Sequence, residues 1–190
     1  MKVAILGGTF DPVHNGHIAL AQAAVDAFSL DKIIFVPVYS PSHKSEDDIA
    51  DAEDRFSMVK LAIGNNDKFE ALRLEINRRN KSYSIDTITY LKKIYPKSAE
   101  LFFLLGSDSA NTLDSWKEVD KIFTLCKFIV GVRPAYTLEV NHKNIEVMSM
   151  EPVDISSTQI RQRVKENKSI RGLVPDKVAE YIERFKLYTL

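Results

Sequence analysis

The chain is 190 residues long, enough for one domain with a sizeable core, and it is 45% hydrophobic and 27% charged, as ordinary soluble globular proteins are. Its 26 Lys and Arg residues cancel its 26 Asp and Glu residues, so no overall field selects nucleic acid or a membrane surface, though a few local cations still suit a small anion. The lone cysteine, Cys126, excludes an intramolecular disulfide framework, and Phe123, Leu125 and Phe128 around it mark a buried structural thiol.

The N-terminus shows no signal-peptide regions and no apolar run approaches the ~18 residues of a membrane span, so the cytoplasm is the expected compartment. A first strand is predicted over residues 3–6, the unbroken run Val3, Ala4, Ile5, Leu6. It runs into Gly7-Gly8-Thr9-Phe10-Asp11-Pro12-Val13-His14-Asn15-Gly16-His17 and then a helix over 18–28. Gly7 and Gly8 lack Cβ atoms, so the backbone is expected to take unusual dihedrals there and to lie close to a bulky ligand. Gly16 opens an alanine-rich helix whose unpaired amides and positive dipole end suit an anion. His14 and His17 are three apart and converge if the helix starts near Gly16. Neither common phosphate loop is present: there is no Gly-x-x-x-x-Gly-Lys-Ser/Thr and no Gly-x-Gly anywhere.

A second strand over 33–36 opens into Tyr39-Ser40-Pro41-Ser42-His43-Lys44 and an acidic stretch to Asp54. Roughly fifteen residues without periodicity are long for a loop and suggest a mobile lid. A helix over 55–63, a weaker alternating strand over 69–76 and a helix over 85–94 follow. In the last of these, Ser82 to Thr87 reads as an N-cap with a first-turn carboxylate. A strand over 101–105 ends in Gly106-Ser107-Asp108, a helix covers 116–125, and a strand over 128–132 ends in Gly131-Val132-Arg133-Pro134. An edge strand over 145–150, a helix over 159–164 and a last helix from Pro175 to about residue 185 complete the order. Strands alternating with helices describe an α/β, doubly wound parallel sheet covered on both faces, with ligands outside the carboxyl ends of the strands.

Unusual polar residues gather at those strand ends. Ser156, Ser157 and Thr158 read as helix capping, and with Arg161 one turn later they also form a second anion cradle. Lys44 and Arg133 are cations within reach of a bound phosphate. Asp108 caps a helix or accepts from a ribose hydroxyl. Trp116 is a core residue or a platform for a flat ring. Zinc at His14 and His17 would need a third ligand, His43 or Asp11, and no metal-binding spacing frames the pair. A neutral surface charge leaves a homo-oligomer open.

The Gly7–His17 stretch together with Ser156-Ser157-Thr158-x-Ile160-Arg161 resembles the nucleotidyltransferases of the HxGH class, a Rossmann-like superfamily. Within it the chain is similar along almost its whole length to the bacterial nicotinate mononucleotide adenylyltransferases. Pro41-Ser42-His43-Lys44, Ser82 to Thr87, Leu105 to Asp108, Trp116-Lys117, Arg133-Pro134 and Leu173 to Val178 carry the finer likeness. The resemblance implies one Rossmann-like domain over 1–190, with a sheet core over 1–150 and the Ser-Ser-Thr motif in a short C-terminal helical appendage over 151–190. It implies adenylyl transfer from ATP to nicotinate mononucleotide, with Mg²⁺ carried on the ATP phosphates rather than by the protein. Gly7, Gly8, Thr9, Phe10, His14, Gly16 and His17 would hold the ATP phosphates, with His17 the main donor to the α-phosphate. Ser156, Ser157, Thr158 and Arg161 would bind the leaving pyrophosphate, and Gly106 and Asp108 would face the ribose and adenine. Lys44 and Arg133 would serve the mononucleotide phosphate, Trp116 would stack on the pyridine ring, and backbone near Ser84 and Thr87 would receive the nicotinate carboxylate. The family often has threonine where Ser84 stands. The rival readings are another adenylyl- or cytidylyltransferase of the class, acting on phosphopantetheine or a small phospho-alcohol, and a non-catalytic nucleotide-binding module.

Overall fold

The computed structural model describes residues 1–40, 49–132, 138–140, 142–151 and 153–189. Of the expected lid, residues 41–48 lie outside the described residues, as do the sites given to His43, Lys44 and Arg133, whereas its last residues, Ala52 to Asp54, already belong to the helix that follows.

Six strands form one parallel sheet in the order β3-β2-β1-β4-β5-β6. They are β1 (Lys2–Gly8), β2 (Lys32–Pro37), β3 (Phe69–Ala71), β4 (Glu100–Gly106), β5 (Lys127–Val132) and β6 (Ile145–Ser149). The helices are α1 (Asn15–Phe28), α2 (Ala52–Ile63), α3 (Leu74–Arg78), α4 (Ser84–Ile94), α5 (Ser107–Ala110), α6 (Val119–Leu125), α7 (Ser157–Lys165) and α8 (Asp176–Phe185). Among the described residues no helix is long and apolar enough to cross a membrane.

The alternation of side chains along each strand sorts the core into two layers. Ala4, Leu6, Ile33, Phe35, Phe102, Leu104 and Ile129 bury one face against Leu20, Ala24 and Val25 of α1 and Met58 and Val59 of α2. Ile160 of α7 and Val178 and Ile182 of α8 join the same layer, and α8 lies against α2. Val3, Ile5, Ile34, Val36, Phe103, Leu105 and Phe128 bury the other face against Ile85, Ile88 and Leu91 of α4 and Ile122 of α6. Each fully buried aliphatic or aromatic side chain of this kind stabilises the fold by about 1.5–3 kcal/mol.

Strand order reverses between β1 and β4, the switch point at which ligands of this architecture bind. Pairing between the two strands runs only as far as Ile5 and Phe103, whereas β1 stays paired to β2 as far as Gly8 and Pro37. The carboxyl ends of β1 and β4 therefore part, and a crevice opens where the two glycines lie.

Three expected elements differ in detail. The alternating run over 69–76 pairs as a strand only to Ala71 and then turns into α3, which places Glu75 and Ile76 inside. The helix expected from Trp116 starts at Val119, because Glu118 sits at φ 56° and breaks the helical path. Ser84 is the first residue of α4, its N-cap is Tyr83, and no side chain caps it, so the capping expected of the Ser82–Thr87 segment is not formed.

Candidate active site

Space, not backbone conformation, explains the double glycine. Neither Gly7 nor Gly8 has a left-handed φ; a Cβ on Gly7 would lie 3.2 Å from the Phe103 ring, and one on Gly8 3.3 Å from the Phe10 ring. The left-handed residue of the loop is Phe10, at φ 50°, followed by a cis Asp11–Pro12 bond. Phe10 turns into the core and brings its ring edge-on to His17, centroids 5.0 Å apart. Gly16 has a similar purpose: a Cβ there would come within 3.0 Å of His14 Nδ1, so its absence lets the His14 ring fold over the start of α1.

The two imidazoles lie one against the other, with centroids 3.7 Å apart and planes 30° apart. The His14 backbone N–H donates to His17 Nδ1 at 3.2 Å. A ring nitrogen that accepts carries no proton, so the proton of the neutral His17 ring is on Nε2. Burial, and then the neighbouring His14, push the His17 pKa well below its ordinary 6.5. At neutral pH His17 is thus a neutral imidazole of fixed tautomer with one N–H to offer, half-buried at the positive end of α1.

The second cradle is joined to this loop by direct bonds. Ser156 is the N-cap of α7 and accepts the Gln159 amide at 3.1 Å, as plain capping requires. Ser157 does something else: its hydroxyl donates to the Pro12 carbonyl at 2.9 Å. Arg161 Nη1 donates to the Asp11 carbonyl at 2.7 Å and lies 3.5 Å from Asp11 Oδ2, while Nη2 reaches Thr158 Oγ1 at 3.4 Å. The structure thereby brings Gly7, Gly8, Thr9, Phe10, His14, Gly16 and His17 beside Ser156, Ser157, Thr158 and Arg161.

Sequence reading missed what stands behind that loop. Arg55, on α2, is 1% exposed. Its guanidinium donates to four backbone carbonyls: Ala50 at 2.9 Å, Thr9 at 2.7 Å, Val38 at 2.8 Å and Tyr39 at 2.9 Å. Asp11, also 1% exposed, accepts the Ala50 amide at 3.1 Å and the Tyr188 hydroxyl at 2.7 Å on its Oδ1. One cation and one anion thus tie the glycine loop to the segment after β2 and to the C-terminal tail. Asp11 stood out in the sequence only as a charge between Phe10 and Pro12, and Arg55, next to Glu53 and Asp54, did not stand out at all.

On the other side of the crevice, Gly106 ends β4 with open space where a Cβ would be, and Asp108 is exposed on α5 without capping it. Trp116 is half-buried, edge-on to Phe103 at 5.4 Å and to Phe128 at 6.3 Å. The Thr87 side chain is buried and turned inward, donating to Glu75 Oε1 at 2.6 Å, so it has no free hydroxyl for a ligand. Ser84 is half-buried at the start of α4.

The profile of the cytidylyltransferase-like family matches residues 5–163, a span that takes in both halves of the clamp. The chain belongs to the cytidylyltransferase-like family. Within that family it is 42% identical to a protein of Clostridium acetobutylicum described as "probable nicotinate-nucleotide adenylyltransferase", over 98% of each chain. It is 40% identical to a protein of the same description from Moorella thermoacetica, over 98% of this chain and 91% of that one. Likenesses of this size over the full length place the chain among the nicotinate-nucleotide adenylyltransferases of the family, and it is a nucleotidyltransferase. Its fold is similar to that of a nicotinic acid mononucleotide adenylyltransferase of Plasmodium falciparum complexed with NaAD, with a TM-score of 0.79, 20% identity and coverage of 98% and 97%.

In this cytidylyltransferase-like chain a cleft of about 400 Å³ contains Thr158 and Arg161 together with Lys165, Lys186 and Tyr188. Another, of about 440 Å³, lies over α3, α4 and α6 and holds none of the residues around the glycine loop. The strand-end crevice is the better guide to the reaction, because it alone gathers the histidines, the helix amides and Arg161. Among the described residues no three His, Cys, Asp or Glu side chains gather to hold a metal ion, and the Asp11 carboxylate is engaged by Ala50, Tyr188 and Arg161. Triphosphate oxygens are the donor set that suits Mg²⁺ in such a site.

Proposed function

We propose that this chain transfers the adenylyl group of ATP to nicotinate mononucleotide, giving nicotinate adenine dinucleotide and pyrophosphate, a step of NAD biosynthesis. The mononucleotide phosphate oxygen attacks the α-phosphorus of ATP. A new P–O bond forms as the bond from the α-phosphorus to the bridging oxygen breaks, and pyrophosphate leaves. Displacements of this kind need in-line positioning and charge neutralisation more than covalent help from the protein.

The observation that carries the reading is the His17 tautomer. A neutral ring whose Nδ1 is occupied by the His14 amide presents only Nε2–H, at a helix N-terminus beside Phe10. Such a donor is fixed before charge builds up on the α-phosphoryl oxygens, so it costs no reorganisation when the transition state forms. His14, Arg161 and the first-turn amides of α7 complete the cradle, with Ser156, Ser157 and Thr158 at its edge. Gly106 and Asp108 face the nucleoside, Trp116 stacks on the pyridine ring, and the uncapped start of α4 at Ser84 receives the ring carboxylate. Lys44 and Arg133 serve the mononucleotide phosphate in this proposal. Mg²⁺ on the triphosphate supplies further neutralisation.

Pyrophosphate release with ATP and each of several mononucleotides, compared by kcat/KM, tests this. Nicotinate mononucleotide should dominate. Preference for phosphopantetheine or a phospho-alcohol would overturn the substrate assignment, and ATP binding without pyrophosphate release on any acceptor would overturn catalysis itself.

A further inference from the structure

The start of α4 is held in place from behind. Glu75, on α3, is 5% exposed. Its Oε1 accepts the Thr87 hydroxyl at 2.6 Å, and the Ser82 hydroxyl lies beside the same carboxyl and favours its ionised form. With Tyr83 as the N-cap, Ser82 is the residue just before it and Thr87 is the fourth of the helix. In many helices an apolar pair at these two positions sets the angle at which the chain enters. Here a single carboxyl from another helix bridges them.

The bridge reaches further. Ser82 Oγ accepts the Tyr39 amide at 3.3 Å, and Ser40 pairs with Lys81 in an isolated β-bridge. The segment after β2 and the start of α4 therefore share one anchor. That anchor is expensive, because Glu75 Oε2 is buried with no hydrogen-bond partner, and leaving such an atom unpaired costs stability. An apolar pair would close the same corner without that cost. What the Thr87 hydroxyl on a carboxyl adds is direction, since hydrogen bonds weaken steeply off their axis.

Direction matters because no side chain caps α4. Among the described residues no acceptor takes the Ser84 and Ile85 amides, whereas the Asp86 amide donates to the Tyr83 carbonyl at 3.1 Å, and a tilt of the helix re-aims the first two. The charged groups that face Glu75 are Arg78, which favours the ionised carboxyl, and Asp86, which opposes it; burial outweighs both and keeps the proton on to a higher pH than usual.

We propose that Glu75 is a positioning residue for the mononucleotide: by bridging Ser82 and Thr87 it aims the uncapped first turn of α4 at the carboxylate of the pyridine ring. This rests on the adenylyl-transfer reading above and assigns it a residue that never touches substrate. It predicts an effect confined to one of the two substrates.

The test is steady-state pyrophosphate release by the wild type, Glu75→Gln, Glu75→Ala and Thr87→Val, with each substrate varied in turn. Glu75→Gln keeps an acceptor for the Thr87 hydroxyl and should hold the KM for nicotinate mononucleotide within about threefold of wild type. Glu75→Ala should raise that KM about ten- to a hundredfold, the scale of a lost buried polar anchor, with the KM for ATP and kcat unchanged. Thr87→Val should move the same KM in the same direction, and it carries the comparison with Glu75→Gln if the alanine variant does not fold. Equal rises in both KM values, a fall in kcat alone, or an unchanged KM for the mononucleotide would overturn the assignment. A wild type that is inactive on nicotinate mononucleotide defeats the functional reading and this inference together, whereas an active wild type with substrate-independent effects defeats the inference alone.

Discussion

Replacing Arg55 by lysine keeps the charge and removes the fork. Four carbonyls, on Ala50, Thr9, Val38 and Tyr39, now receive bonds from three nitrogens pointing in different directions. A lysine ammonium donates from a single atom, so it cannot serve all four, and at least one buried carbonyl loses its partner. Hydrogen bonds to charged groups are worth about 1.5–3 kcal/mol each, which makes a cost of about 3 kcal/mol reasonable for Arg55→Lys. Arg55→Met also leaves buried Asp11 without one of its neighbouring cations, which brings the cost to about 5 kcal/mol. In a chain of this size 1 kcal/mol moves Tm by about 2–4 °C, so the lysine variant should melt about 6–12 °C lower. Thermal and urea unfolding at neutral pH give both numbers. Because the lost bonds hold Thr9 and the segment after β2, the surviving folded enzyme should also show a raised KM for ATP. A lysine variant within 2 °C of wild type, which the size rule equates with about 1 kcal/mol or less, would refute the idea that this guanidinium organises the loop.

His17→Ala should lower turnover by about two to four orders of magnitude with little change in melting temperature, the usual range for losing one transition-state donor; near-normal turnover in a pyrophosphate-release assay would sink the role given to that ring. Because the His17 pKa lies well below 6.5, the ring is already neutral above that pH, so kcat should show no alkaline limb from it between 6.5 and 8. A loss of rate centred near 6.5–7 that vanishes in His17→Ala would mean that the imidazolium is the working form. Glu75 gives a stability prediction of definite sign. Its folded pKa lies above the ordinary 4.5, so in the window upward from 4.5 the native state holds a proton that the unfolded chain has released, and stability falls as pH rises. The difference in unfolding free energy between wild type and Glu75→Gln, measured by urea titration across that window, should follow this trend; a pH-independent difference would contradict it.

What could be read from the sequence and what could not divide along a physical line. Apolar runs of strand length and helical periodicity report burial directly, so β1, β2, β4 and β5 stood out, as did the switch point they create. The Gly7–His17 and Ser156–Arg161 stretches were legible because each packs its chemistry into one contiguous segment. Arg55 was not, because its partners are backbone carbonyls 5, 16, 17 and 46 residues away, and a carbonyl leaves no mark in a sequence. Glu75 was hidden for another reason: the alternation over 69–76 fits a strand, and only pairing on one side to β2 shows where it stops. Of what was expected of the double glycine, the unusual dihedrals are absent, and the Phe10 and Phe103 rings that take up its space cannot be anticipated from the loop alone.

The bonds that join the two walls of the clamp span 145, 150 and 177 residues, from Ser157 to Pro12, from Arg161 to Asp11 and from Tyr188 to Asp11. During translation the histidine loop is made well before its counterpart. At about 5–20 residues per second, the loop waits roughly 7–30 s before a partner for it has been made. A nascent chain can lay down the sheet in that interval but cannot enclose a triphosphate. Nucleotide affinity should therefore switch on abruptly, once Ser157, Arg161 and Tyr188 have been made, rather than grow as the chain lengthens.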